Sequence, residues 1–385
     1  MAGFEHEPLN DDYLSDHPHQ GLELPDGTDL VSELSKKGYN YLKEGILEEA
    51  QQSFLQLLEL DAKNNYALVG LGDVARKKGD FEAATGFYQE CLRHFPTNNY
   101  ALFGLADSYK AMGLFNRALA IWEEYLKQDS ANITVLTRVA DAYRKVRNFN
   151  QSKATYLKVL EMEPNNAYAL IGLGHLHYDF KDYREALRYW EQMYHLNEAH
   201  ADIRVLTSLG NCHRKMKTYA DGIPYFQKVL DKHPDNFYAL FGLADCYRGL
   251  NLSEQSLEHW QKILSFDPNN KVILTRAGDS LRSLGRLDEA ESFYRKALNI
   301  EFDLYAVLGL ALVHKLKGEY QEALNSLQGI LKNDANNARI YQEMAECYVA
   351  LKKKDEALAI LSAFQKRGMK NQGVNDMLAK LKALP

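Results

Sequence analysis

Proline is scarce in this chain, 9 in 385 residues, and it is scattered, so no proline-rich linker divides the sequence. Cysteine is scarcer. Cys91, Cys212, Cys246 and Cys347 lie far apart and form no CxxC pair, which leaves neither a disulfide framework nor a zinc motif; reduced, buried thiols are expected. No apolar run approaches the ~18 residues of a membrane-spanning helix. The N-terminus has no basic stretch followed by an apolar one, so no signal peptide is read there. A cytoplasmic chain that does not insert into membranes is expected. Catalytic signatures are missing too: there is no G-x-S-x-G, no phosphate-cradling glycine loop and no HExxH. Neither an enzyme nor a cofactor is expected. Residues 1–29 lack lysine and arginine altogether, yet they hold eight carboxylates. High charge without periodicity reads as a disordered acidic tail. The remainder is net +2, against −6 for the whole chain, and lacks the basic footprint of a general nucleic-acid binder.

What is present is a repeat. Small residues recur at a period of 34: Gly38, Gly72, Ala106, Ala140, Gly174, Gly210, Ala244, Gly278, Ala311 and Ala345. Twelve residues after each stands a second small one: Ala50, Ala84, Ala118, Ser152, Ala186, Gly222, Ser256, Ala290, Ala323 and Ala357. Four residues further comes a large apolar side chain: Phe54, Tyr88, Trp122, Tyr156, Trp190, Phe226, Trp260, Tyr294, Leu327 and Leu361. Leucines precede the first small site by four and by one, as in Leu68/Leu71, Leu102/Leu105 and Leu240/Leu243. These are the spacings of a helix face. Pro96, Pro164, Pro234 and Pro268 end units, where a residue that cannot continue a helix belongs. Gly45, Gly79, Gly113, Gly285 and Gly318 fall where one helix should turn left-handed into the next. Each unit is therefore helix–turn–helix, with the small sites marking a close crossing of its two helices.

This pattern resembles the tetratricopeptide repeat family in its small, aromatic and proline sites. The resemblance covers residues 31–371 as ten units: 31–64, 65–98, 99–132, 133–166, 167–202, 203–236, 237–270, 271–303, 304–337 and 338–371. It implies an all-α, right-handed superhelical solenoid whose first helices line a concave groove for protein or peptide partners. Residues 372–385 place Val374, Met377, Leu378 and Leu381 at helical spacing, a helix that caps the last apolar face. The fifth unit is two residues long at Glu198–Asp202, and the eighth is one short near Phe302–Asp303. Pro224 lies inside a second helix and is expected to kink it. An irregularity is therefore expected between about His195 and Pro224.

Two ladders run along the first helices. One residue past the first small site stand Asp73, Asp107, Asp141, Asp245 and Asp279; three residues later stand Arg76, Lys110, Arg144, Arg214, Arg248, Arg282 and Lys315. A spacing of three puts acid and base on one face. They either pair between repeats and stabilise stacking, or hold a ligand. A second stripe lies six residues before the small site: Tyr66, Tyr100, Tyr168, Tyr238 and Tyr305, with Phe103 and Phe241 a turn further on. Tyrosine combines apolar area with a hydroxyl and suits binding surfaces, although packing between first helices explains the stripe equally. Gly70, Gly104, Gly172, Gly242 and Gly309 follow the tyrosines by four, which argues for close approach by a neighbouring helix or a bound segment. Arg138 and Arg276 take this glycine site in two units, within a longer 68-residue alternation that also sets Trp122, Trp190 and Trp260 against Tyr156, Phe226 and Tyr294.

The four histidines His175, His177, His195 and His200 make the only local cluster. His177 sits where other units have Tyr109, Tyr143 and Tyr247, so it is expected in the core rather than on a metal. The function expected is a scaffold that binds protein segments. An RNA-binding helical repeat protein and a self-assembling, homo-oligomeric structural protein are the alternatives. The acidic tail is either a solvated segment or a competitor for the groove.

Overall fold

The computed structural model describes residues 30–198, 201–332 and 334–383. The tail and His200 lie outside them. Among the described residues there are helices and turns but no strand. The helices come in pairs: α1 (Leu30–Glu44) with α2 (Leu47–Leu60), α3 (Asn65–Lys77) with α4 (Phe81–His94), and α5 (Asn99–Ala111) with α6 (Phe115–Gln128). Next come α7 (Ile133–Lys145) with α8 (Phe149–Met162), α9 (Ala167–Asp179) with α10 (Tyr183–Leu196), and α11 (Ile203–Met216) with α12 (Tyr219–Lys232). Then follow α13 (Phe237–Gly249) with α14 (Ser253–Phe266), α15 (Lys271–Ser283) with α16 (Leu287–Ile300), and α17 (Leu304–Leu316) with α18 (Tyr320–Leu331). The series ends with α19 (Ala338–Ala350), α20 (Lys354–Lys366) and a single α21 (Gln372–Ala383). The described residues divide into two compact units, one ending at Val205 and the other beginning at Leu206. That boundary falls inside the stretch from His195 to Pro224. The helix α12 runs through Pro224 without interruption.

The start of six first helices has a common chemical cause. Asn64, Asn98, Asn132, Asn166, Asn236 and Asn270 each accept a hydrogen bond at the side chain from the backbone N–H three residues on. This satisfies one of the donors that a helix start leaves orphaned. The turn between paired helices also repeats: the seventh residue after the first small site has φ near +60 to +80° in every unit. Five units use Gly45, Gly79, Gly113, Gly285 and Gly318 there; the others use Arg147, Lys181, Lys217, Asn251 and Lys352.

Within each unit of the fold, the core is a column of wedges. Phe54, Tyr88, Trp122, Trp190, Phe226, Trp260 and Tyr294 are fully buried, and Tyr156 is nearly so. Each ring sits against the small site of its own first helix: a Cβ added at Gly72 would stand 2.5 Å from Tyr88, and one added at Gly210 would stand 2.6 Å from Phe226. The same ring reaches the following first helix. A Cβ at Gly104 would lie 2.3 Å from Tyr88, and the same holds for Gly172 against Tyr156, Gly242 against Phe226 and Gly309 against Tyr294. Gly70 meets Phe54 at 2.4 Å. The close neighbour inferred for this glycine row is therefore an aromatic side chain of the preceding second helix. After the three tryptophans the glycine is replaced by Arg138, Ser208 and Arg276. Trp190 turns its indole Nε1 toward Gly174 of its own pair.

The irregular lengths are absorbed between pairs. Six residues separate α10 from α11, whereas three separate α16 from α17. Val374, Leu378 and Leu381 of α21 pack against Tyr341, Leu361 and Phe364, with Met377 at the edge of the cluster. All four cysteines are buried free thiols. Burial raises the pKa of Cys91 and Cys246 to about 12.

Candidate functional site

The acid and base ladders form short ion-paired networks within each unit of the fold. Up to Val205, Arg76 donates to Asp73 of its own helix at 3.4 Å and to Asp107 of the next first helix at 3.2 Å. Asp107 also meets Arg138, 3.2 Å away on the helix after. Arg144 donates to Asp141 at 2.7 Å and to Asp179 at 2.6 Å. From Leu206 on, Arg214 donates to Asn211 at 3.1 Å and to Asp245 at 3.0 Å, and Arg248 holds Asp245 at 2.6 Å. Lys315 pairs with Glu343 and Glu346. At Arg76, Arg144, Arg214 and Lys315 the base of one repeat thus bridges to an acid of the next. This is the stacking role weighed for the ladder.

The buried aromatics join the same system. Tyr88 donates to Asp73 at 2.6 Å and Tyr294 to Asp279 at 2.8 Å. Burial opposes ionisation of Asp141, but Arg144 outweighs it and holds the carboxyl below its ordinary pKa. Asp245 follows the same pattern: burial raises its pKa, and Arg248 with Arg214 brings it below the usual value. Lys110 lies close enough to contribute to the field at Asp141. Such charges remain ionised because each carboxylate has a guanidinium partner.

The apolar candidates separate into two groups. Phe103 is 2% exposed and lies beneath Arg138, whose guanidinium carbon stands 4.6 Å from the ring centroid. Arg138 itself is 4% exposed. Both belong to the stack and present little to a ligand. Phe241 is half-buried, edge-on to Trp260 at 5.2 Å. Tyr66, Tyr100, Tyr168 and Tyr238 are also half-buried, while Tyr305 is exposed. The Tyr66 carbonyl accepts from the Tyr39 hydroxyl at 3.1 Å. On α15, Asp279 and Arg282 are 3.8 Å apart and Arg276 is half-buried.

His177 is 2% exposed, bonded at Nδ1 to Asp182 at 3.0 Å and packed between Phe149 and Tyr189. His213 and His314 repeat that contact with Thr218 and Glu319. These histidines tie the end of a first helix to the start of its partner. Among the described residues no group of three His, Cys, Asp or Glu could hold a metal, and no helix is long and apolar enough to cross a membrane.

Family models described as Tetratricopeptide repeat match the chain from residue 35 to 381. One of them matches residues 35–99, 138–201 and 208–271, half of the sequence. The chain belongs to the tetratricopeptide repeat family. Two further models with the same description match residues 75–137 and 316–381, and residues 273–304. Among solved structures, a tetratricopeptide repeat protein from Parabacteroides merdae ATCC 43184 is 18% identical with a TM-score of 0.50, over 65% of this chain and 98% of that one. YrrB, described as a TPR protein with an unusual peptide-binding site, is 19% identical with a TM-score of 0.43, over 48% of this chain and 95% of its own. MamA is 21% identical with a TM-score of 0.40, over 44% and 92%. At these identities the likeness is one of fold. No curated protein sequence matches the chain.

The asparagine caps were not read from the sequence, although Asn recurs there eight residues before the first small site. Asp179 was missed as a ladder member because it stands four residues beyond the acid rung, which His175 occupies in this repeat.

Proposed function

We propose that this tetratricopeptide chain is a non-catalytic scaffold that holds protein segments against the exposed side of its first helices. One observation carries the reading. The aromatics of the second helices are buried in the core, whereas the tyrosines six residues ahead of five of the small sites keep part of their surface open. A recurring, partly open tyrosine adds little to a core that its repeat's buried aromatics already occupy. It offers a partner apolar area with a hydroxyl at its edge, as binding hot spots do. The ladder beside it is mostly neutralised by its own ion pairs, so it stiffens the first helices and presents no broad basic surface to nucleic acid. Four buried free thiols far apart in sequence fit a reducing compartment, and we place the protein in the cytoplasm.

The test is affinity capture from native lysate with the full chain and with a variant carrying Tyr100→Ala, Tyr168→Ala and Tyr238→Ala, whose helical content is checked by circular dichroism. A folded variant that loses a defined set of proteins supports the reading. Capture of the same set by both chains removes it. A chain that instead captures further copies of itself establishes the self-assembling alternative.

A further inference from the structure

Helix α17 departs from the other first helices. Between Leu304 and Leu316 its only polar side chains are Tyr305, His314 and Lys315. His314 is bonded to Glu319, and Lys315 to Glu343 and Glu346 of α19. A helix that is apolar on every side is ordinarily buried on every side. This one is not. Tyr305 and Leu316 lie on one face, three helical turns or about 16 Å apart, and each is more than half exposed. Half-buried Leu308 and buried Leu312 stand between them on the same face. Phe302, in the lead-in to α17, is open to the same degree. Among the described residues from Leu206 on, these three are the most exposed large apolar side chains. In other first helices the place of Leu316 is taken by Lys77, Lys145 or Lys215, and that of Leu312 by Asp73, Asp141 or Asn211.

We propose that the row Tyr305, Leu308, Leu312 and Leu316 docks an amphipathic α-helix of a partner protein, and that lysine or arginine flanks the apolar row of that helix. The inference rests on the scaffold reading above and names the kind of segment that α17 takes. Backbone satisfaction selects a helix. An extended segment carries unpaired N–H and C=O groups. Laid on this row it would meet one hydroxyl and otherwise hydrocarbon, and a polar group stripped of water without a partner is costly. A helix brings those groups already paired, and its side chains recur every three or four residues as the row on α17 does. Charge selects the flank. On the α19 side Lys315 is shared by Glu343 and Glu346. Glu343 also has Arg339 at 3.6 Å, whereas Glu346 has Lys315 alone and its side chain is 52% exposed. A carboxylate left open beside an apolar row favours a cation on the partner's edge.

The probe is a fluorescent synthetic peptide of leucine and lysine whose leucines recur every three or four residues. It is titrated into the full chain at physiological salt and followed by anisotropy, and amide exchange of the same mixture locates the site. The expected result is saturable binding with added protection in α17 and α19. The pair Tyr305→Gln and Leu316→Gln, both at exposed positions and checked by circular dichroism, should weaken binding about tenfold. Glu346→Lys should weaken this peptide and tighten a version with glutamate in place of lysine. A version interrupted by prolines, which cannot form the helix, should bind the full chain no better than the helical peptide binds the double variant. Absence of saturable binding overturns the proposal, and so does equal affinity for the full chain and the double variant. Protection confined to other helices or to residues 1–29 overturns it as well. Equal binding of the proline version assigns the row to an extended segment and removes the helix. The wider scaffold reading is separable. If the variant at Tyr100, Tyr168 and Tyr238 loses its captured proteins while the helical peptide ignores α17, the inference about α17 fails and the scaffold reading stands.

Discussion

Adding one methyl group to a helical glycine should act in opposite directions at two places in this chain. Gly104 lies in α5, where a Cβ would stand 2.3 Å from the Tyr88 ring and 2.7 Å from its hydroxyl. Tyr88 has no exposed surface, and its hydroxyl is bonded to Asp73 at 2.6 Å. The ring cannot withdraw without disturbing Gly72, whose own Cβ position is 2.5 Å away. Gly104→Ala therefore forces overpacking of about 1–3 kcal/mol and strains a charge-assisted bond of about 1.5–3 kcal/mol. The helix propensity gained offsets only about 1 kcal/mol. A net loss of about 2 kcal/mol is expected. Gly86 lies in α4 with nothing within 4 Å of its Cβ position, so Gly86→Ala should stabilise by about 0.5–1 kcal/mol. Repeat arrays do not unfold as one unit, so the assay is amide exchange in α4 and α5. A gap of about 3 kcal/mol appears there as a rate ratio of roughly a hundredfold. Leucine stands at the position of Tyr88 in the last two pairs. Tyr88→Leu should accordingly recover about 1 kcal/mol or more in the Gly104→Ala background relative to its effect alone. Equal stability of the two alanine variants would refute the wedge account.

The ladder supplies two further expectations, an exposed ion pair a third, and a helix cap and a turn two more. Arg144→Gln leaves Asp141 and Asp179 without their shared guanidinium, with Asp141's side chain 16% exposed; a local loss of about 3 kcal/mol is expected in amide exchange of α7 and α9. Arg188→Gln, whose side chain is 59% exposed beside Glu185, should change stability by less than about 0.5 kcal/mol. Asp141 and Asp245 both titrate below their ordinary value in the folded chain. The unfolded chain then binds more protons near the ordinary carboxylate pKa of about 3.9. Their contribution is fully present above that pH and lost as acid is added below it, which thermal melts between pH 6 and 3 will show unless the curve is flat. Asn98→Ala removes a side-chain cap at α5 and should lower stability by about 1 kcal/mol, while Lys181→Gly relieves a φ of +65° and should raise it by up to about 1 kcal/mol.

Much of this fold is legible in the sequence because its packing rule is short-range and repeated. A small residue and an aromatic sixteen positions later report one helix crossing, and ten copies make the period visible. The glycine row was visible as well, but its cause was not. Gly104 answers to Tyr88, sixteen residues earlier on another helix, and only coordinates show the ring between them. Phe103 shows the same limit on the site. Its register places it on the first-helix face beside the tyrosines, yet Arg138, thirty-five residues later, lies over its ring and buries it. Acid and base at a spacing of three were readable on one helix. The bridge from Arg76 to Asp107 depends on how successive first helices stack. Five turns hide their left-handed residue under Arg147, Lys181, Lys217, Asn251 and Lys352, where a search for glycine finds nothing.

The central claim is that partners lie on the first helices. Amide exchange of the full chain, measured with and without a protein captured by it, tests this most directly. The account predicts added protection in first helices such as α5, α9 and α13, centred on the turns that carry Tyr100, Tyr168 and Tyr238. Protection confined to second helices such as α4, α8 and α14 would contradict it.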